Sequence, residues 1–190
     1  DMKFVELEKI YRQKDESFIN LLNAIRTNSV DESQIEAINR RAVFDADNQD
    51  AIHLTSTNDR ANEINLARLS QLKSQLHEFT GMTNGSFEDK HLPTERRLGL
   101  KVGAQIMFMN NDSMGRWVNG TIGCVKELED GIIMVKTNDG DIVEVSPHTW
   151  DLYKYYFDAK SRSLSQETVG SFTQIPVRLA WAITIHKSQG

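Results

Sequence analysis

Cysteine is nearly missing from this 190-residue chain: Cys124 stands alone. No disulfide can form within the chain, so the fold cannot rest on a disulfide framework, and such thiol usage suits a reducing, cytoplasmic setting. Long apolar runs are missing as well. No stretch approaches the roughly 18 uninterrupted apolar residues that a helical membrane span needs, so no membrane partner is expected. The opening DMKFVELEKIYRQKDE has no apolar signal core and is too acidic for a transit peptide. Nor is there an excess of positive charge. Lys and Arg number 22 against 27 Asp and Glu, a net of −5. That argues against a protein coated in basic residues to hold nucleic acid, while leaving room for a local basic groove. Internal repeats and low-complexity tracts are absent.

Several kinds of chemistry are excluded by the same logic. The five histidines, His53, His77, His91, His148 and His186, are scattered, with no carboxylate or cysteine at metal-ligand spacing. Cys124 sits in an alternating segment and reads as a small apolar residue rather than a nucleophile. No close carboxylate pair offers an acid and a base. GRWVNGT (Gly115 to Thr121) has two glycines at phosphate-loop spacing, but no lysine follows the second, and the segment leads into a strand. It reads as a glycine-rich turn, and the chain shows no nucleotide-anchoring loop of its own.

What is present is a folded globular sequence. Apolar residues make up 39%, and 11 glycines bring the usual globular count to about 45%. The length fits one large domain or two small ones. Phe18, Leu21, Leu22 and Ile25 recur at helical spacing behind a capping Asp15. Asp31 with Gln34 resembles a capping box, and Val30 is placed to staple against Ile35. AIHLTST (Ala51 to Thr57) predicts a short strand running into hydroxyls. Leu69, Leu72, Leu76 and Phe79 predict one long helix continuing to the TGMTNG breaker at Thr80. Thereafter the texture turns to strand. Val102, Ala104, Ile106 and Phe108 alternate, and three runs from Trp117 to Val145 are separated by EDG and NDG, strong hairpin signals. WDLYKYYF (Trp150 to Phe157) is placed to cover that sheet, SFTQI returns to strand, and Pro176 suits the first turn of a closing helix. Helix, strand and helix, then an all-β insert, then strand and helix predict an α/β domain interrupted by a small antiparallel barrel.

Three segments carry candidate chemistry. Arg12 precedes a helix start, where a guanidinium could neutralise a transferring phosphoryl group; an ordinary surface arginine is the plainer alternative. Thr55, Ser56, Thr57 and Asn58 stand at a helix N-terminus, a natural anion cradle or simply a cap. In a helix from Pro176, Thr184 and Ser188 would share a face with His186 and Lys187 beside them. Short donors and a cation aimed one way suit a phosphate backbone, although Lys187 would also favour a helix C-terminus electrostatically.

Together these blocks resemble the second motor half of RecD-like, Pif-type superfamily 1 DNA helicases. YRQ (Tyr11 to Gln13) resembles the family's arginine-finger motif. LTSTNDRANEIN (Leu54 to Asn65) resembles its segment after the central strand. LKVGAQIMFMNND with WVNGTIGCV resembles the lead-in to an inserted SH3-like barrel, and IPVRLAWAITIHKSQG (Ile175 to Gly190) the motif joining the DNA track to the nucleotide site. Residues 127–173 match only in barrel pattern.

The resemblance implies a partial RecA-like fold of the P-loop NTPase type. Residues 1–112 form its first part, 113–173 the SH3-like barrel and 174–190 the return. It implies an ATP-dependent helicase moving on single-stranded or forked DNA, 5′ to 3′, with DNA repair and recombination as its setting. ATP and Mg²⁺ would be held mainly by a first RecA-like domain absent from this chain, leaving the fragment inactive alone. Arg12 would be the finger, and Gln13, Gln189 and Gly190 would lie toward the nucleotide. Thr55, Thr57, Asn58, Asn119, Thr184, His186, Lys187 and Ser188 would touch DNA. The alternative is a non-catalytic adaptor whose SH3-like module binds nucleic acid or protein.

Overall fold

The computed structural model describes residues 14–40, 51–88, 91–158 and 162–188, with backbone alone for Asp158, Lys187 and Ser188. Two compact units divide the chain, residues 1–49 and 50–190. In the first lie α1 (Glu16–Arg26) and α2 (Glu32–Asn39). Asp15 caps α1 by accepting from the Ser17 and Phe18 N–H groups at 3.0 and 3.1 Å. The expected capping box opens α2: Gln34 N–H donates to Asp31 Oδ1 at 2.8 Å, and Asp31 N–H to Gln34 Oε1 at 3.1 Å. These caps satisfy helix-end donors that would otherwise lack partners.

The second unit runs β1 (His53–Thr55), α3 (Asn58–Gln71), β2 (His77–Thr80), β3 (Met82–Gly85), β4 (Arg97–Leu100), β5 (Gln105–Phe108), β6 (Ile122–Glu129), β7 (Ile132–Thr137) and β8 (Ile142–Val145). It continues with β9 (His148–Asp158), β10 (Ser163–Gln174), β11 (Val177–Leu179), β12 (Ala182–Thr184) and α4 (Ile185–Ser188). The fold is mixed α/β. β1 and β12 pair in parallel, β2 with β4 antiparallel, and β3-β10-β9 form a three-stranded sheet. Five strands make the antiparallel sheet β11-β5-β6-β7-β8.

That sheet carries the main core. Ala104, Ile106, Phe108, Val125, Ile133, Val135, Val145 and Val177 are all fully buried. The two Asp-Gly turns fall where expected, with Gly131 and Gly140 at φ 83° and 97°, a conformation glycine adopts without strain. The sheet is open: among the described residues β11 and β8 form its edges, and no pairing closes it into a barrel.

Three expectations from the sequence give way. The helix through Leu69 and Leu72 does not run on to Phe79; α3 stops at Gln71. Leu72 turns to extended backbone (φ −70°, ψ 129°), Lys101 Nζ donates to its carbonyl at 2.7 Å, and Ser74 Oγ donates to Val102 O at 2.8 Å. Leu69, Leu72 and Phe79 still meet one core, so a helix followed by a strand satisfies the same apolar spacing. WDLYKYYF does not cover the sheet; it is most of β9, paired along its length with β10. Trp150 stacks on Phe172 at 5.8 Å. Beyond Gly170, where β3 ends its pairing, the ribbon has two strands only, leaving Tyr155 and Phe157 60% and 66% exposed. Finally, no closing helix starts at Pro176. Residues 177–179 and 182–184 are strands, and helix begins only at Ile185.

Candidate nucleic-acid interface

The closing segment is strand because its backbone is claimed twice. β11 pairs with β5, Val177 opposite Phe108 and Leu179 opposite Ile106. Ala180 N–H then donates to Gln105 O at 2.9 Å, and His53 N–H to Trp181 O at 2.8 Å. β12 thereupon joins β1, with His53, Leu54 and Thr55 opposite Ala182, Ile183 and Thr184. Pro176, lacking an N–H, suits the start of such an edge segment. One stretch of chain therefore belongs to both the five-stranded sheet and the parallel pair.

The parallel pair places Thr55 and Thr184 side by side at the carboxyl ends of β1 and β12, and each strand leads into a helix. In open α/β folds this is the end where ligands bind. Both threonines are buried, at 9% and 7% exposure. Thr55 Oγ1 donates to Thr57 O at 3.0 Å and reaches Ile183 O at 3.4 Å, tying the turn to both strands. Thr57 is the N-cap of α3 and accepts from Arg60 N–H at 3.3 Å. Asn58 and His186 are exposed beside them, on α3 and α4. Since Thr184 ends a strand and Ser188 sits in α4, the two do not share a helix face as expected.

Asn65 holds this arrangement, and sequence reasoning did not assign it. Ala61, Asn65 and Leu69 form the buried stripe of α3, and Asn65 is the polar member. Its Oδ1 accepts from Ala182 N–H at 2.8 Å; its Nδ2 donates to Ala182 O at 2.9 Å and Leu179 O at 3.3 Å. An amide side chain thus serves the free edge of β12 as a neighbouring strand would, locking it to the helix that starts at Asn58. The signal in the sequence is a carboxamide at the centre of an otherwise apolar helical stripe.

A second feature is the turn that holds Asn119. Three consecutive side chains build it. Asn110 Oδ1 accepts from Trp117 Nε1 at 3.1 Å, and Asn111 Oδ1 from Asn119 N–H at 2.8 Å. Asp112 takes Arg116 by two oxygens, Nη2 at 2.8 Å and Nε at 2.9 Å. These bonds from the Arg116 guanidinium hold the Asp112 carboxyl far below the usual carboxylate range. The same guanidinium lies 4.6 Å over the Trp117 ring, which stacks on Phe108 at 4.6 Å. Gly115 and Gly120 take φ 74° and 91°. As expected, the turn leads into a strand, β6, and has no lysine to meet a triphosphate, so it does not fit one. Met109 and Ile122, which flank the turn, share an apolar cluster with Ile183 of β12. Asn119 itself stands exposed on the turn.

Arg12, Gln13, Gln189 and Gly190 lie outside the described residues. Among the described residues, no three His, Cys, Asp or Glu side chains converge on a possible metal position.

The strand–helix pair carrying short donors, joined through one segment to an antiparallel sheet, is a mixed α/β architecture. No family model matches the chain. It is 30% identical over 193 residues to the ATP-dependent DNA helicase Pif1 of Bdellovibrio bacteriovorus, covering 98% of this chain and 42% of that protein. To the human ATP-dependent DNA helicase PIF1 it is 32% identical over 196 residues, covering 98% and 29%. Its fold matches Bacteroides Pif1 in complex with ADP-AlF4 at a TM-score of 0.82 and 32% identity, covering 95% of this chain and 42% of that one. The match to Bacteroides Pif1 bound to ssDNA has a TM-score of 0.69 at 33% identity, covering 98% and 43%. The homologues of this chain are Pif1-type superfamily 1 DNA helicases, bacterial and eukaryotic. It spans less than half the length of these relatives.

Proposed function

We propose that this chain is the second RecA-like motor half, with an inserted SH3-like module, of an ATP-dependent helicase that moves 5′ to 3′ on single-stranded DNA. The observation that carries the reading is the pairing of Thr55 with Thr184 at the carboxyl ends of parallel strands, with Asn58 and His186 exposed beside them. Residues 1–112 and 174–190 are assigned to the motor and 113–173 to an inserted SH3-like module, which takes in β6, β7 and β8 of the five-stranded sheet. Thr55, Thr57, Asn58, Asn119, Thr184, His186, Lys187 and Ser188 form the DNA track. Backbone contacts of this kind give tolerance of sequence and sensitivity to salt.

ATP and Mg²⁺ supply the driving hydrolysis in the intact protein. The described residues offer no triphosphate cradle, so the main nucleotide site is assigned to a first RecA-like domain elsewhere in the parent. Arg12, Gln13, Gln189 and Gly190 are the residues proposed to face it. Support comes from the relatives: Bacteroides Pif1 has been solved with ADP-AlF4 and, separately, with ssDNA.

The test is equilibrium binding of the full-length protein to a labelled oligothymidylate across a salt series. His186→Ala is expected to weaken binding several-fold. Lys187→Ala should in addition flatten the log K against log salt slope by about 0.7, the loss of one phosphate contact on a single strand. Wild-type protein that ignores the oligonucleotide would favour an adaptor whose SH3-like module binds protein.

A further inference from the structure

Beside the paired threonines lies a cavity of about 30 Å³ whose wall includes Asn58, Asn65, Glu95, Arg178 and Thr184. Its cation, Arg178, was not among the residues the sequence pointed to. Arg178 sits in β11 opposite Met107, with its side chain only 23% exposed. Its Nε is buried and has no hydrogen-bond partner among the described residues. Glu95 Oε1 stands 3.7 Å from it, close enough for an ion pair and too far for a hydrogen bond. Burial pushes the Glu95 carboxyl up, and Arg178 draws it down less strongly. With its side chain 44% exposed and its carboxylate beyond hydrogen-bond reach, Glu95 makes a loose, partly solvated pair with Arg178.

A guanidinium has five N–H donors in a planar fork that matches phosphate oxygens two at a time. Thr184 and Asn58 line the same cavity, and a hydroxyl and an amide are donors that can position a phosphate without neutralising it. From this we infer that Arg178 is the charged contact of the track for one phosphodiester of the DNA strand. Glu95 is the neighbouring, partly exposed carboxylate that holds the guanidinium in place when no strand is bound. The inference rests on the DNA-track reading above and adds to it a specific cation and its competitor.

The two members of the pair then act in opposite directions. In full-length protein titrated with labelled oligothymidylate, Arg178→Gln is expected to lower affinity about tenfold, the scale of one charged hydrogen-bond set, and to flatten the salt slope by about 0.7. Arg178→Lys keeps the charge and should restore the slope while losing the bidentate geometry. Glu95→Gln removes the competitor and should raise affinity about threefold or more. The inference is overturned if Arg178→Gln stays within twofold of wild type with the same slope. It is equally overturned if Glu95→Gln weakens binding, the result of a pair that is only structural. Should Arg178→Gln fail to fold, the sign of the Glu95→Gln effect decides alone. Failure of the underlying reading looks different: wild type would not bind the strand, and His186→Ala would be silent.

Discussion

Arg12→Ala in the full-length protein is expected to cut DNA-stimulated ATP turnover by about 10³-fold or more, while nucleotide affinity stays within a few-fold of wild type. As the γ-phosphoryl group transfers, negative charge spreads over its oxygens, and a guanidinium brought to it from another domain stabilises the transition state far more than bound nucleotide, on the order of 10³ to 10⁵ in kcat. An effect on kcat with little on binding is the mark of an interaction made only in the transition state. Arg12→Lys should rescue little, because an ammonium cannot reproduce the planar fork. Arg12 lies outside the described residues, so its assignment stands on the Tyr11-Arg12-Gln13 resemblance. Retained turnover in Arg12→Ala would sink it.

Asn65→Leu carries the largest expected effect on stability. Leucine fills similar space but strands three backbone groups: the buried N–H and carbonyl of Ala182 and the half-buried carbonyl of Leu179. Each unsatisfied buried group costs about 1–3 kcal/mol, and because the three share one side chain a total of about 3 kcal/mol is the conservative sum. For a chain of this size that corresponds to a fall in Tm of about 6–12 °C. Asn65→Asp should not rescue, since it keeps the acceptor for Ala182 N–H but loses both donors and buries a charge. Urea titration followed by tryptophan fluorescence reads the change. A loss below about 1 kcal/mol would show that water replaces the amide and that α3 does not hold β12.

What could be read from the sequence was local. Asp15 and the Asp31/Gln34 box act within four residues of themselves, and the Asp-Gly turns dictate their own hairpins, so all appear in the structure as expected. The closing segment is not legible in the sequence because nothing local decides it. β11 and β12 have three residues each, too short to display a strand period, and β12 takes its pairing from His53 to Thr55 far back in the chain. The Leu69–Phe79 spacing fits a helix on paper. Two bonds to the distant 101–102 segment, from Lys101 to the Leu72 carbonyl and from Ser74 to the Val102 carbonyl, decide otherwise. The candidate hydroxyls were legible as motif words, and Thr55 with Thr184 proved to be neighbours. Asn65 and Arg178 were not singled out, since their importance lies in partners more than a hundred residues away for Asn65, and in a cavity wall for Arg178.

The measurement that bears most directly on the motor reading is the rate of ATP hydrolysis by the full-length protein with and without single-stranded DNA. The reading predicts slow turnover alone and stimulation of at least tenfold by the strand, lost when His186 and Lys187 are both replaced by alanine. Hydrolysis that is equally fast without DNA, or absent under both conditions, would contradict it.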